Sequence, residues 1–474
     1  MIKYLLICLA GLPLCSATYA HPSTFIKTAE IVNFFNEHPN VIWDSFNFND
    51  GPIVVHNGTP ELLAFNLYPQ EEHWEKVTDL AHLAWITRHD AADLHHIGFH
   101  PSYPIENKLA FVYGFKSDYS MHDRNYQAFV HEKFHGFQFL HFKNIFIQDS
   151  MYQDHLNTDI QQLLFFENKA LAALLADLSS VENMKDVIAV YETRRPIMQE
   201  KSRVWEDWQL RMEGIAEYVD VDTFLKLPIL DVSPLQLLDY YTQRNFSWLS
   251  SEPINVVDSA IKWRNYSVGA ISALALDELK IDDWKEKVEQ GATPMELLST
   301  HFNLNKNEIK NRFKRIKSKW NDPSYLQKIA DEIQAYNNIL DAIGNEYERT
   351  PGVEIQWKIF SLCPSGANMD KSYYLANGGM VSLNMTTHQA CYEDNGSFNL
   401  EMIKQPIVYE NNHKEGQRYK VAGSILIDGQ PFSELPNIGV FKQFDINSAT
   451  VKLSYTGQAC YLHDGNRLEI FECL

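Results

Sequence analysis

From about residue 123 to residue 345 the chain reads as a succession of long amphipathic helices with few glycines. Asn125 to Phe142, Asp159 to Leu178, Arg203 to Tyr218, Tyr266 to Leu279 and Tyr325 to Tyr347 each repeat apolar residues every three or four positions. Such helices must bury one stripe, so this stretch has to fold as helix packed on helix. Thr350-Pro351-Gly352 breaks the pattern. Beyond it come alternating runs, Gly352 to Trp357 and Ala449 to Tyr455 among them, with turn signals at Asn377-Gly378, Asn395-Gly396 and Asp428-Gly429. These predict a small antiparallel β domain over residues 350–474.

Residues 21–122 are mixed. Pro52 to His56 and Lys108 to Tyr113 read as strands, and His73 to Ala92 has helical spacing. The expected class is therefore α+β: a mixed N-terminal part over 21–122, a helical domain over 123–349 and the terminal β domain. Residues 1–20 read as an export signal, with Lys3 first, an apolar Tyr4 to Leu14 stretch, and Thr18-Tyr19-Ala20 as the cleavage site. Leu14 is too bulky to precede Cys15 in a lipidation signal. No later run approaches the ~20 apolar residues of a membrane helix. A secreted or periplasmic protein with no integral membrane segment is expected after signal removal.

The formal charge of −20 opposes binding to nucleic acid, itself a polyanion. Cys363, Cys391, Cys460 and Cys473 all lie in the last quarter of the chain. In an oxidising compartment they are candidates for two disulfides, with three possible pairings. No close C-x-x-C pair favours a four-cysteine zinc site.

The chemistry-bearing motif is His131-Glu132-Lys133-Phe134-His135, inside the helix predicted from Asn125. Residues four apart on a helix lie one turn apart on nearly the same face, so both imidazoles can grip one ion. Glu132 projects beside that face and can take a proton from an attacking water. Phe129, Val130, Phe134 and Phe137 would bury the other sides. Two imidazoles and a carboxylate suit one zinc ion per chain.

A third ligand is required, and three candidates compete: Glu213, Glu167 and His141. His141 has the metzincin spacing, but Gln138 stands where those enzymes turn at a glycine. A continuing helix would carry His141 about 15 Å along its axis. Glu213 is followed four residues later by Glu217, which could hydrogen-bond a ligand imidazole, whereas Leu171 holds that place after Glu167. Gly214 leaves room for close approach beside the ligand.

With His131-Glu132-x-x-His135 followed by Glu213-Gly214-Ile215-Ala216, the chain resembles the gluzincin superfamily of zinc peptidases, in its thermolysin-like and glycyl-aminopeptidase-like members. The resemblance covers roughly residues 105–300 and includes Tyr266-x-x-Gly269, like a Y-x-x-G helix start of that group. It implies a zinc peptidase with ligands His131, His135 and Glu213, base Glu132, supporting acid Glu217 and an oxyanion donor at Tyr266. Peptide or protein substrates follow from it. The interval from His135 to Glu213 is longer than in thermolysin-like enzymes, and no G-x-M-E-N segment is present.

Other clusters point less sharply. His95, His96 and His100 are candidates for a second metal site, though their irregular spacing favours scattered surface histidines. Arg264 reads as a carboxylate binder or as surface, and Arg194-Arg195-Pro196 as a charge pair at a helix boundary. No serine elbow or P-loop is present. Rival readings are an inactive binding protein on a peptidase-like fold and a zinc hydrolase of non-peptide amides or esters.

Overall fold

The computed structural model describes residues 23–474 except 60, 70–72, 79, 81–83, 88–98, 106–107, 116–123, 145–151, 228–259, 359–366, 370–371, 376–379, 394–395, 410–416, 472 and 474. The proposed export signal, Cys363, and the Asn377-Gly378 and His95-His96 pairs lie outside the described residues. The class is α+β, with a sheet near the start, helices in the middle and a second sheet at the end. By contacts the chain divides into two compact units, Met1–Leu140 with Val219–Leu237, and His141–Tyr218 with Leu238–Leu474. The dividing lines after Leu140 and Tyr218 fall inside continuous helices, and the one after Leu237 lies outside the described residues.

The first unit opens with helix α1, Ser23–Glu37, within the stretch expected to mix strands and helices. A six-stranded sheet follows: β1 Ile53–His56, β2 Leu62–Phe65, β3 Trp74–Val77, β4 Ala84–Thr87, β5 Phe99–Ile105 and β6 Lys108–Gly114, in the order β3-β4-β2-β1-β6-β5. Strands β1 and β6 were legible; β3 and β4 correct the helix expected from His73. There, Trp74–Val77 and Leu62–Phe65 both pair with Ala84–Thr87, so sheet hydrogen bonding overrides the local period. Helix α2, Arg124–His141, carries the H-E-x-x-H motif. Its Phe129 meets Phe48, Phe111, Tyr113 and Phe115, and its Phe134 meets Trp43 and Phe46 edge-on at 5.5 and 5.0 Å. The helix is thereby held by aromatic packing on the faces turned away from its histidines.

The second unit contains α3 Thr158–Ala176, α4 Val181–Arg194, and α5 Glu200–Gln209, which runs through a π-helical turn, Leu210–Gly214, into α6 Ile215–Lys226, a helix that belongs to the first unit from Val219 onward. Helices α7 Ala260–Glu278, α8 Trp284–Glu289, α9 Pro294–Phe302, α10 Lys306–Lys319 and α11 Pro323–Arg349 follow. Asn157 and Ser180 cap α3 and α4, and Thr293 with Glu296 forms a reciprocal capping box on α9. Ile343 and Tyr347 of α11 pack on Val381 and Val408 of the terminal sheet.

That sheet comprises β7 Val353–Trp357, β8 Ala367–Met369, β9 Ser372–Tyr374, β10 Met380–Glu393, β11 Gly396–Tyr409, β12 Gln417–Val421, β13 Gly423–Ile427, β14 Gln430–Pro431, β15 Ile438–Ser448, β16 Val451–His463 and β17 Arg467–Phe471. Strands β16, β17, β7, β12 and β11 pair in a closed circuit, because β11 also bonds to β16. Five strands cannot alternate direction around a closed ring, so one neighbouring pair must be parallel. That pair is β17 with β7, which corrects the purely antiparallel expectation. Ile355, Trp357, Leu400, Tyr419, Leu453 and Ile470 belong to its core. Cys460 and Cys473 form a disulfide, and Cys391 lies on β10. At the β13–β14 hairpin Asp428 and Gly429 both adopt positive φ, the conformation that a two-residue turn of this hand requires.

A buried ionic cluster ties α3, α4, α5 and α7 together. Arg194 Nε donates to Glu167 Oε2 at 2.6 Å, and its terminal nitrogens donate to both Glu206 oxygens at 2.7 and 2.8 Å. Arg264 lies 3.0 Å from Glu167 and donates to Asn168 Oδ1 at 2.7 Å. Arg194 ends α4, the helix boundary read from the sequence, but is buried there, and Arg264, read as a carboxylate binder or as surface, is buried against the Glu167 carboxylate. Burial alone would raise the Glu167 carboxyl; Arg194 and Arg264 outweigh it and hold the group below its ordinary value. A lowered folded value stabilises fully above the unfolded carboxyl value of about 4.3, and that contribution is lost as pH falls through the folded value. Arg194→Met leaves two carboxylates short of their partner and is expected to cost about 3–5 kcal/mol in urea unfolding at pH 7. The deficit relative to wild type should shrink below about pH 4, as the Glu167 carboxyl protonates.

Candidate metal centre

Helix α2 continues without interruption through Gln138 to His141, and this geometry sorts the histidines. His131 and His135 lie one turn apart, both buried, with ring centroids 4.6 Å apart and planes nearly perpendicular. His141 ends the helix and is exposed. It does not join the cluster, because nothing turns the chain back.

The carboxylate that meets the two imidazoles is that of Glu213. Ligand atoms of His131, His135 and Glu213 all lie within 4.8 Å of one another. Donors around a tetrahedral zinc, at bonds of about 2.0–2.2 Å, stand roughly 3.4 Å apart, so a modest inward shift suffices. Glu213 is partly buried and sits in the π-helical turn, a rare widening that re-aims side chains and recurs at functional sites. Glu167, the other acidic candidate, is occupied by Arg194 and Arg264 and is not a ligand here.

The glycine after Glu213 gives the room for close approach that its position suggested, and what approaches is another helix. A Cβ on Gly214 would fall 2.7 Å from Gly269 Cα, and one on Gly269 would fall 2.5 Å from Gly214 Cα. The π turn and α7 therefore touch backbone to backbone. Tyr266 lies within α7, not at its start, with its ring 5.0 Å from that of Trp263. Its neighbour Gly269 is there for the helix crossing.

Each imidazole has its second nitrogen engaged. His135 Nδ1 is 2.7 Å from Gln138 Oε1, a contact within one helix that orients the ring. His131 Nδ1 is 3.5 Å from Asp220 Oδ2. Asp220, seven residues after Glu213 and nearly on the same helix face, thus stands beside His131 as a further acid, in addition to Glu217. Glu217 is close by: His131, Glu217 and Asp220 form a second grouping within 4.8 Å. Among the described residues these are the two groupings of three or more such side chains close enough to hold a metal. His100 lies in exposed β5, where its Nδ1 accepts the Ser102 amide hydrogen. The sequence signals for Asp220 and Gln138 were the seven-residue spacing from Glu213 and the three-residue spacing from His135, each on a helix face already assigned to the site.

Glu132 is partly buried beside the histidines. The phenol of Tyr113, on β6, is pushed well above its ordinary value, first by burial and then by the Glu132 carboxylate. Glu132 therefore acts electrostatically on a hydroxyl that stays protonated.

No family model matches this chain, and no curated protein or solved structure is similar to it. The donor set itself, two imidazoles and a carboxylate, could hold a metal ion. Asp220→Ala and Gln138→Ala are each expected to weaken zinc binding about 10–100-fold in competition titrations, and Glu213→Ala to weaken it more. A Glu167→Gln protein that stays folded should bind zinc as wild type does.

Proposed function

We propose that the protein is a zinc-dependent hydrolase of the peptidase type. The convergence of His131, His135 and Glu213, with Glu132 on the adjoining helix position, carries this reading. When bound, zinc would supply Lewis acidity, polarising a scissile carbonyl and bringing the pKa of water toward about 7.

The chain's own groups would do the rest. His131 and His135, oriented by Asp220 and Gln138, would be the imidazole ligands. Glu213 adds the negative charge that favours a dication. Glu132, one residue from a ligand and not engaged as one, accepts the proton of the attacking water and returns it to the leaving amine. Tyr266 is the proposed donor to the developing oxyanion. Residues 1–20 act as a cleaved export signal, and the Cys460–Cys473 disulfide belongs with the oxidising compartment beyond it. No helix among the described residues is long and apolar enough to cross a membrane.

Protein purified without chelator is expected to hold one zinc per chain and to cleave a mixed peptide library. Glu132→Gln should keep the metal and lose at least a hundredfold in kcat, the scale of a lost general base. His135→Ala should lose both. Full turnover by the Glu132→Gln protein, or a metal-free and unresponsive wild type, would overturn the assignment.

A further inference from the structure

Helix α10 is out of keeping with the charge of the rest of the chain. The protein has 61 acidic against 41 basic residues, yet α10 contains Lys306, Lys310, Arg312, Lys314, Arg315, Lys317 and Lys319 against the single acid Glu308. The two arginines are used internally. Arg312 binds Glu182, Asp186 and Glu308, and Arg315 binds Asp186, fastening α10 to α4. Ile316 is buried below, with Phe313 packed against the same cluster.

The lysines are arranged differently. At about 100° per residue, Lys306, Lys310, Lys314 and Lys317 fall within an arc of about 80° along roughly 16 Å of helix. All four are exposed, and none has an ion-pair partner among the described residues. The polar neighbours Asn307, Asn311 and Ser318 continue this side of the helix, which carries no acid. Lys306 also stands at the positive end of the helix dipole. Like charges three and four residues apart repel. Three such pairs therefore face water without internal compensation, in a chain with acidic residues to spare.

We propose that this lysine stripe docks the protein on an anionic phospholipid surface. Four ammoniums in one row can meet a flat array of phosphate-bearing headgroups simultaneously, each charge adding to the attraction. The arc has no aromatic residue on which bases could stack, which disfavours single-stranded nucleic acid. It also lacks an apolar anchor of the kind that specific peptide recognition uses. Binding is peripheral, without insertion, and screened by salt within about 8–10 Å. The overall negative charge orients the molecule, turning this helix toward the surface and most of the rest away.

The test is sedimentation of the full mature chain with vesicles of neutral phosphatidylcholine, or of phosphatidylcholine with one third phosphatidylglycerol. Wild type should sediment only with the anionic vesicles at low salt and be released by high salt. Replacing Lys306, Lys310, Lys314 and Lys317 by Gln should abolish sedimentation, with about fivefold lost per lysine. Gln preserves helix propensity, and replacing the same four by Arg should retain binding. Removing the same charge at exposed Lys76, Lys201, Lys280 and Lys442 should reduce binding less than tenfold. Equal loss in the scattered and stripe variants, no sedimentation of wild type, or capture by an acidic polypeptide but not by vesicles would each overturn the proposal.

Discussion

An imidazole can serve a metal only when one ring nitrogen is free and the other has a partner that fixes the proton and the ring plane. The candidate centre is organised around that requirement. Gln138 meets it for His135 at 2.7 Å from within the same helix, and Asp220 meets it for His131 across to the helix that also carries Glu213. One helix therefore provides two candidate ligands and one of their supports, while the other provides the candidate carboxylate and the second support. Moving either helix would disturb a ligand and a supporting contact together, which makes the geometry of the pair demanding.

The rest of the molecule answers that demand in two ways. Aromatic packing of Phe129 and Phe134 holds α2 on its apolar sides, so its histidines cannot roll. On the acidic helix, the Gly214–Gly269 crossing fixes the backbone one residue from the ligand. A side chain at either glycine would force those backbones apart. Glu167 and Glu213 illustrate how environment assigns roles to identical side chains. Two guanidiniums surround the first and lock it into the interior, whereas two imidazoles face the second.

The terminal sheet follows a geometrical constraint of its own. Five strands joined in a closed ring must include one parallel neighbour pair, and the chain meets this with β7 and β17, its first and last strands there. Joining first to last also closes the apolar core around Ile355 and Ile470. The Cys460–Cys473 bridge then anchors the end of the chain to β16.

The amino-acid sequence by itself determined the order of helical and strand regions, because periodicity records which side of each element must be buried. It also determined the adjacency of His131, Glu132 and His135, because a helical turn is a local object, and for the same reason it excluded His141. It did not determine β3 and β4, whose pairing partners lie elsewhere in the chain, or the parallel β7–β17 pair, which arises only on ring closure. The four-residue spacing from Glu213 singled out Glu217 but not Asp220, which also stands beside His131, because the nitrogen to be supported belongs to another helix and its position is a matter of packing. The choice of Glu213 over Glu167 was likewise completed only in three dimensions. A carboxylate's role is set by the charges that surround it, and Arg194 and Arg264 reach Glu167 from distant parts of the chain.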